Sequence, residues 1–233
     1  MRRTLFAAFS AIAALMGAAV AGQEPAGAAK DWRVLFDGKS LDGWEHIGPG
    51  AMVLENGLIR TEGGMGLLWY TKEKFGDCVI RVVYKTGDRR ANSGVFVRIA
   101  DKPKDPWYAV HHGYEIQISD SDDDFHGTGA VYSLSKAMAR PAKPAGEWNT
   151  LDITLKGQEI IVAVNGGEVN HFNPDDKSRI PERTKDYEPE RGPRPTSGYI
   201  GLQNHGEVTN NAVVYFREVS VRPLTKEDRP KGS

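Results

Sequence analysis

Cysteine is almost missing from this chain. Cys78 is the only one in 233 residues, so no disulfide can form within the molecule. A chain of this length can bury enough apolar surface to hold itself without one. Cys78 opens an apolar stretch and reads as a small buried side chain, not as a nucleophile. Basic runs are also missing: 30 Lys and Arg against 31 Asp and Glu leave a net charge of −1. That excludes the electrostatic footprint of a nucleic-acid binder. No long amphipathic helical pattern and no solenoid repeat occurs. There is no HExxH, no Cys/His cluster, no GxSxG elbow and no Walker or Rossmann glycine loop. Asp120, Asp122 and Asp124 alternate like a calcium loop. However, Phe125 stands at the glycine position and Val131 where a bidentate Glu belongs, so an EF-hand is excluded. A looser cation site and a solvated acidic loop both stay open there. His111 and His112 are adjacent, which would send them to opposite faces of a strand and makes them a poor metal pair.

What is present begins with a leader. Arg2 and Arg3 precede an apolar run from Leu5 to Val20, broken only by Ser10, and Ala19-Val20-Ala21 has the small-x-small form of a cleavage site. Residues 1–21 read as a signal peptide, with a periplasmic or secreted product and no stable membrane insertion. Residues 22–30 read as a flexible leader and 225–233 as a polar tail. With 39% hydrophobic and 26% charged residues, 31–224 fits one large domain.

That domain is patterned as strands. Leu35, Phe36, Leu41 and Trp44 surround two Asp-Gly turns and are expected to cap one end of the core. Short apolar segments follow at 52–54, 58–60 and 67–70, then the long β-branched run from Cys78 to Lys85. Gly127–Tyr132 is expected to be another strand, and Asn165-Gly166 closes a hairpin after Glu159–Val164. Residues 101–112 read as a loop carrying Trp107 and Tyr108, whose rings would either pack or stack on a sugar. Residues 173–196, with five prolines and many charges, read as a long insertion. About a dozen short strands with turn signals predict an all-β sandwich.

Three strands alternate so as to make a polar face. In Gly113–Asp120, Tyr114, Ile116 and Ile118 point one way, and Glu115, Gln117 and Ser119 the other. In Ser93–Arg98, Val95 and Val97 oppose Phe96 and Arg98. In Tyr199–His205, Ile200 and Leu202 oppose Gly201, Gln203 and His205. If the three are neighbours, Arg98, Glu115, Gln117, Gln203 and His205 line one concave surface. A solvent-facing strand set would show the same alternation.

Further motifs tie these strands to a family. Leu35-Phe36-Asp37-Gly38-Lys39-Ser40-Leu41-Asp42-Gly43-Trp44 comes first, then Asn92-Ser93-Gly94-Val95-Phe96-Val97-Arg98. Gly113-Tyr114-Glu115-Ile116-Gln117-Ile118 follows with Asp120, then Thr128-Gly129-Ala130-Val131-Tyr132. Gly146-Glu147-Trp148-Asn149, Gly201-Leu202-Gln203-Asn204-His205-Gly206 and Phe216-Arg217 complete the series. In this order and spacing the chain resembles the 3-keto-disaccharide hydrolase domain family across about 31–224. It departs in having Asn204 before the His and Glu218 after Phe-Arg, where the family favours Asp and Asn.

The resemblance implies a concanavalin A-like jelly roll of two curved antiparallel sheets. It implies an exported enzyme for glycosides already oxidised at C3 by a partner sugar 3-dehydrogenase. A C3 ketone acidifies the C2 hydrogen; a base removes it, the C1 group leaves by elimination, and water adds back. Arg98 suits the enolate oxygen, and Glu115 and His205 suit base and acid in either order. Asn92, Gln117 and Gln203 would orient hydroxyls, with Asp120, Tyr132 and Trp107 as further substrate contacts. No cofactor is required, and a divalent metal stays open. A two-carboxylate glycosidase is disfavoured, because the strand reads Glu115-x-Gln117 and lacks the second acid. A carbohydrate-binding module without catalysis is the rival from another class.

Overall fold

The computed structural model describes residues 31–121, 123–206, 212–226 and 228. The leader readings at 1–30 and Asp122 lie outside them, as does most of the 225–233 tail. Thirteen strands run β1 (Arg33–Phe36), β2 (Trp44–Ile47), β3 (Met52–Glu55), β4 (Leu58–Thr61), β5 (Gly66–Tyr70), β6 (Cys78–Thr86) and β7 (Asn92–Ile99). A short helix α1 (Pro106–His112) precedes β8 (Tyr114–Ser119), β9 (Asn149–Lys156), β10 (Glu159–Val164), β11 (Gly167–Phe172), β12 (Tyr199–Asn204) and β13 (Val214–Pro223). Two antiparallel sheets result: β11-β10-β9-β6-β13-β4-β3, with β1 added on β13, and β2-β5-β12-β7-β8. The protein is an all-β sandwich, and among the described residues no helix is long and apolar enough to cross a membrane.

Alternation builds the space between the sheets. Leu151, Ile153 and Leu155 on β9 meet Ile160, Val162 and Val164 on β10, while Val95, Val97, Tyr114, Ile116, Ile118, Ile200 and Leu202 come from the smaller sheet. Leu35, Phe36 and Trp44 join this cluster with Leu41 packed against it, and Cys78 is buried within it. Burial pushes the Cys78 thiol up to about 12, which keeps it uncharged.

Three local expectations are corrected. Residues 101–112 contain α1: Asp105 Oδ1 accepts from Tyr108 N at 3.0 Å and Pro106 opens the first turn, a start signal present in the sequence. His111 and His112 therefore lie on a helix and not on a strand. Segment 127–132 is not a strand but a looped strap along the free edge of β8. It makes bonds such as Gln117 N to Ala130 O at 3.0 Å and Tyr132 N to Glu115 O at 2.9 Å.

The outer face of the smaller sheet is divided. On one part Leu67, Trp69, Phe96, Ile99 and Tyr199 form a second apolar cluster, roofed by Ala109 and Val110 of α1. The rest is left for polar side chains.

Candidate active site

The site grows from three adjacent strands. β8 pairs with β7, placing Gly94 across from Gln117 and Phe96 across from Glu115, and β12 pairs with the other side of β7. With Ile116 and Leu202 turned into the core, Glu115, Gln117 and Gln203 must face outward. Gly94 makes room for the acid: a Cβ there would lie 2.6 Å from Glu115 Oε1 and 2.7 Å from its Cγ. The carboxyl therefore lies over a position that only glycine leaves open.

These side chains converge on a cavity of about 280 Å³ lined by Met65, Asn92, Trp107, Val110, Glu115, Gln117, Tyr132, Tyr187, Gln203 and His205. That is near the lower end of the sizes typical of small-ligand pockets. Gln117 Nε2 donates to Asn92 Oδ1 at 2.7 Å, and Asn92 Nδ2 lies 3.2 Å from His205 Nδ1. Because Asn92 Oδ1 is already accepting, its Nδ2 donates to His205. That leaves Nδ1 bare and puts the proton of the neutral ring on Nε2. Gln117 Oε1 and Gln203 Oε1 are buried with no partner in the protein, two acceptors suited to ligand hydroxyls.

The electrostatics push the two titratable groups apart. Burial raises the Glu115 carboxyl to about 8, against a hydrogen bond from Gln203 that lowers it. Burial lowers His205, favouring the neutral imidazole. Tyr132 is raised by burial and then by Glu115, with Ser133 opposing. A carboxyl that holds its proton at neutral pH, beside an imidazole that does not, is an arrangement suited to proton chemistry.

Arg98 is not part of this group. Tyr199 pairs with Ile99 and Gly201 with Phe96, so β7 carries one extra residue opposite β12. Arg98 occupies this bulge with φ of +57°, and Gly198 packs so closely on it that a Cβ would lie 2.4 Å from Arg98 C. The extra residue reverses the parity count. Arg98 is buried and donates to Gly157 O at 3.0 Å, 3.5 Å from Asp77, tying the smaller sheet to the β9–β10 turn of the larger one. Burial lowers its pKa, with Asp77 opposing.

Asp120 is half-buried just beyond β8 and is not among the lining residues. Burial raises its carboxyl, with Arg89 opposing. Asn92, Glu115, Gln117, Tyr132, Gln203, His205 and Trp107 do come together. Met65, Val110 and Tyr187 also line the cavity without having been expected. Tyr187 is the lone aromatic of the 173–196 insertion, and that is its one signal in the sequence. The insertion is fastened by buried Arg194, which bonds Gly113 O at 3.1 Å and Glu190 O at 2.8 Å and lies over the Tyr114 ring at 5.0 Å.

Asn204, the departure beside His205, is a structural residue. It accepts from Glu62 N at 3.2 Å and donates to Gly63 O, a bond an ionised Asp could not make. Among the described residues no three His, Cys, Asp or Glu side chains converge as metal ligands. A larger pocket of about 530 Å³ opens beside β11, but its buried Asn170 is already bonded to Gly129 and Ser135.

The protein is therefore an antiparallel sandwich that carries a small polar pocket on one sheet. The chain matches the 3-keto-alpha-glucoside-1,2-lyase-like domain over residues 31–222 and belongs to that family. It is 24% identical over 230 residues to a 3-keto-disaccharide hydrolase of Bacteroides thetaiotaomicron, covering 82% of this chain and 77% of that one. Among solved structures, a "putative glycosyl hydrolase" of Parabacteroides distasonis is 28% identical with a TM-score of 0.65, covering 83% of this chain and 99% of the other. A galectin-like protein of Bacillus subtilis, 12% identical with a TM-score of 0.57 over 82% of this chain and 94% of that one, shares the fold alone.

Proposed function

We propose that this chain cleaves 3-keto-glycosides by C2 proton abstraction and elimination at C1, followed by addition of water. Family membership and the name of the Bacteroides relative support the substrate class. The observation that carries the chemistry is a carboxyl and an imidazole lining one cavity, with burial raising Glu115 to about 8 and lowering His205.

Glu115 is the base. Its conjugate acid is weak because the carboxylate is poorly solvated, so the ionised form is a strong acceptor for the C2 proton. His205 presents the Nε2–H of a neutral ring, held by Asn92, and donates to the oxygen that gains charge as the enolate forms. This donor replaces Arg98 in that role. Gln117 and Gln203 accept from ring hydroxyls, and Trp107 and Tyr187 flank the opening as stacking surfaces. A dehydrogenase that oxidises C3 supplies the substrate, and the apolar leader at 1–21 supports action outside the cytoplasm.

The test is turnover in deuterated water. The chain is incubated with 3-keto-trehalose, 3-keto-glucosides and the unoxidised parents, with and without EDTA. Cleavage of keto-sugars alone, with deuterium at C2 of the released sugar, is the expected result. Cleavage without deuterium at C2 means direct displacement at C1. Saturable binding to plain glycans with no cleavage of any keto-sugar means a binding module.

A further inference from the structure

The cavity is divided by depth. Its polar groups lie on the sheet: Glu115, Gln117 and Gln203 are buried, and Gln117 Oε1 and Gln203 Oε1 are the two acceptors without a partner. Of the large apolar side chains exposed among the described residues, only Trp107 and Tyr187 are aromatic, and both line this cavity. They are 45% and 54% exposed, so their rings stand at the mouth, above the polar floor. They are also the only exposed residues of the lining. Buried hydrogen-bonding groups below and bare aromatic rings above suit a ligand with two unlike halves.

Neither ring is loose surface. Trp107 is the second residue of α1, behind the Asp105 cap, and its ring stacks on His111 at 6.5 Å with 29° between the planes. Tyr187 rides on a turn closed around Glu188. Thr184 Oγ1 donates to Glu188 Oε1 at 2.9 Å, and Arg191 Nη2 donates to Glu188 Oε2 at 2.8 Å. Arg183 donates to Asp186 O at 2.6 Å and to Glu188 O at 3.2 Å, which fixes the backbone on both sides of Tyr187. The ring itself is left uncovered. The two carriers are joined as well: Glu190 lies 3.2 Å from Arg183 and 4.0 Å from His111 of α1. Apolar surface held open to water around one mouth marks a place where something covers it.

We infer that the leaving group this enzyme takes is a flat aromatic aglycone, stacked on Trp107 and Tyr187 while the C3-oxidised sugar occupies the polar floor. This rests on the reading of the pocket as a keto-glycoside site. A cavity of about 280 Å³ has room for one sugar ring, and the ring that loses its C2 proton lies beside Glu115. The group bonded through the C1 oxygen then reaches the mouth. A second sugar would bring a rim of hydroxyls to a place that offers one indole N–H and one phenol. The nearby carboxylates are engaged elsewhere, Glu188 with Thr184 and Arg191, and Glu190 with Arg183. An aromatic ring asks for no hydrogen bonds and gains from the two faces. Stacking stays the same while the C1–O bond breaks, so it lowers KM and leaves kcat alone. Trp107 and Tyr187 are specificity-determining residues that touch the part of the substrate that departs.

Leaving alcohols of similar acidity test this, because bond cleavage then differs little among them. KM is measured for the benzyl, cyclohexylmethyl and methyl 3-keto-glucosides in one anomeric configuration, and for 3-keto-trehalose. The benzyl compound should have the lowest KM, roughly tenfold below methyl and roughly two- to fivefold below cyclohexylmethyl, with similar kcat. Tyr187→Ala and Trp107→Ala should each cut the benzyl advantage over methyl roughly two- to fivefold, and Tyr187→Phe should keep it. A benzyl KM no lower than the cyclohexylmethyl one, a lowest KM for 3-keto-trehalose, or an advantage that survives loss of both rings overturns the inference. If the wild-type protein cleaves no keto-glycoside, the proposed function fails and calorimetric titration with the same compounds decides. Tightest binding of the benzyl compound, with the margin lost in Tyr187→Ala, sustains the aromatic site. Equal binding of the series, or none, overturns it.

Discussion

The outer face of the five-stranded sheet holds two regions built by one rule. On both, every second residue turns away from the core. Under α1 those residues are Leu67, Trp69, Phe96, Ile99 and Tyr199, and they form an apolar cluster with Ala109 and Val110. Beside α1 they are Glu115, Gln117 and Gln203, which with Asn92 and His205 line the cavity. Phe96 and Glu115 are directly paired across β7 and β8, so the boundary between the regions falls between cross-strand neighbours. The contrast teaches that strand geometry provides an outward face but not its use. Side-chain polarity sorts that face into cover and cavity, and the apolar roof then shields the acid from water along one side. The raised carboxyl of Glu115 is a product of that adjacency.

The widest separation between the regions should come from Glu115→Gln. It keeps the shape over Gly94 and removes the charge, so the rate should fall about 10²–10⁴-fold. In the wild type, kcat/KM should climb as pH rises through about 8, when the base ionises. Stability moves the other way. The folded pKa lies above the unfolded one, so folding favours the protonated form, and wild-type stability should decline from about pH 4.5 to about pH 8. Glu115→Gln lacks that decline, and thermal melts at pH 9 should show it more stable by a few kcal/mol. A variant with full activity, or with the wild-type decline intact, would erase the distinction between the regions.

Next in size is Phe96→Ala on the covered side. Emptying a fully buried ring should cost about 3–5 kcal/mol in denaturant melts. The rate per folded molecule should stay close to wild type. A selective collapse of kcat at full folding would mean that the apolar half takes part in chemistry directly.

Arg98→Met sharpens the comparison at the bulge. It deletes the bond to Gly157 and the pairing with Asp77, and should cost roughly 1–3 kcal/mol of stability with turnover retained. A folded variant without turnover would return Arg98 to the reaction. The smallest effect is expected at the rim. Trp107 is 45% exposed, and Trp107→Ala should raise KM by a few-fold, roughly 1 kcal/mol of stacking, with kcat unchanged. An unchanged KM across a substrate series would make the ring ordinary surface.

Much of this contrast was legible from residue order. Glu115, Gln117, Gln203 and Phe96 all face as alternation predicts, because each lies where its strand keeps register with its neighbours, clear of the bulge at Arg98. Arg98 does not, because parity holds only while two strands advance together. A single added residue opposite β12 breaks the count, and no composition signal marks it. Helix α1 had a start signal in Asp105-Pro106, but seven residues are too few for a helical period to stand out. Tyr187 had only its aromatic type to mark it, since residues in a long polar insertion reach a site only through tertiary contacts such as those of Arg194.

By itself the sequence determined the all-β class, the buried thiol, the absence of disulfides and the polar faces of β8 and β12. These follow from short-range geometry, in which side chains alternate along a strand wherever it is placed. Tertiary structure alone decided which strands are neighbours, which part of the outer face α1 covers, and where Arg98 goes. It alone shifted Glu115 up and His205 down, because a pKa depends on how much water the surrounding chain excludes. That exclusion comes from residues as distant in sequence as Met65 and Tyr187, which meet around Glu115 only in the folded molecule.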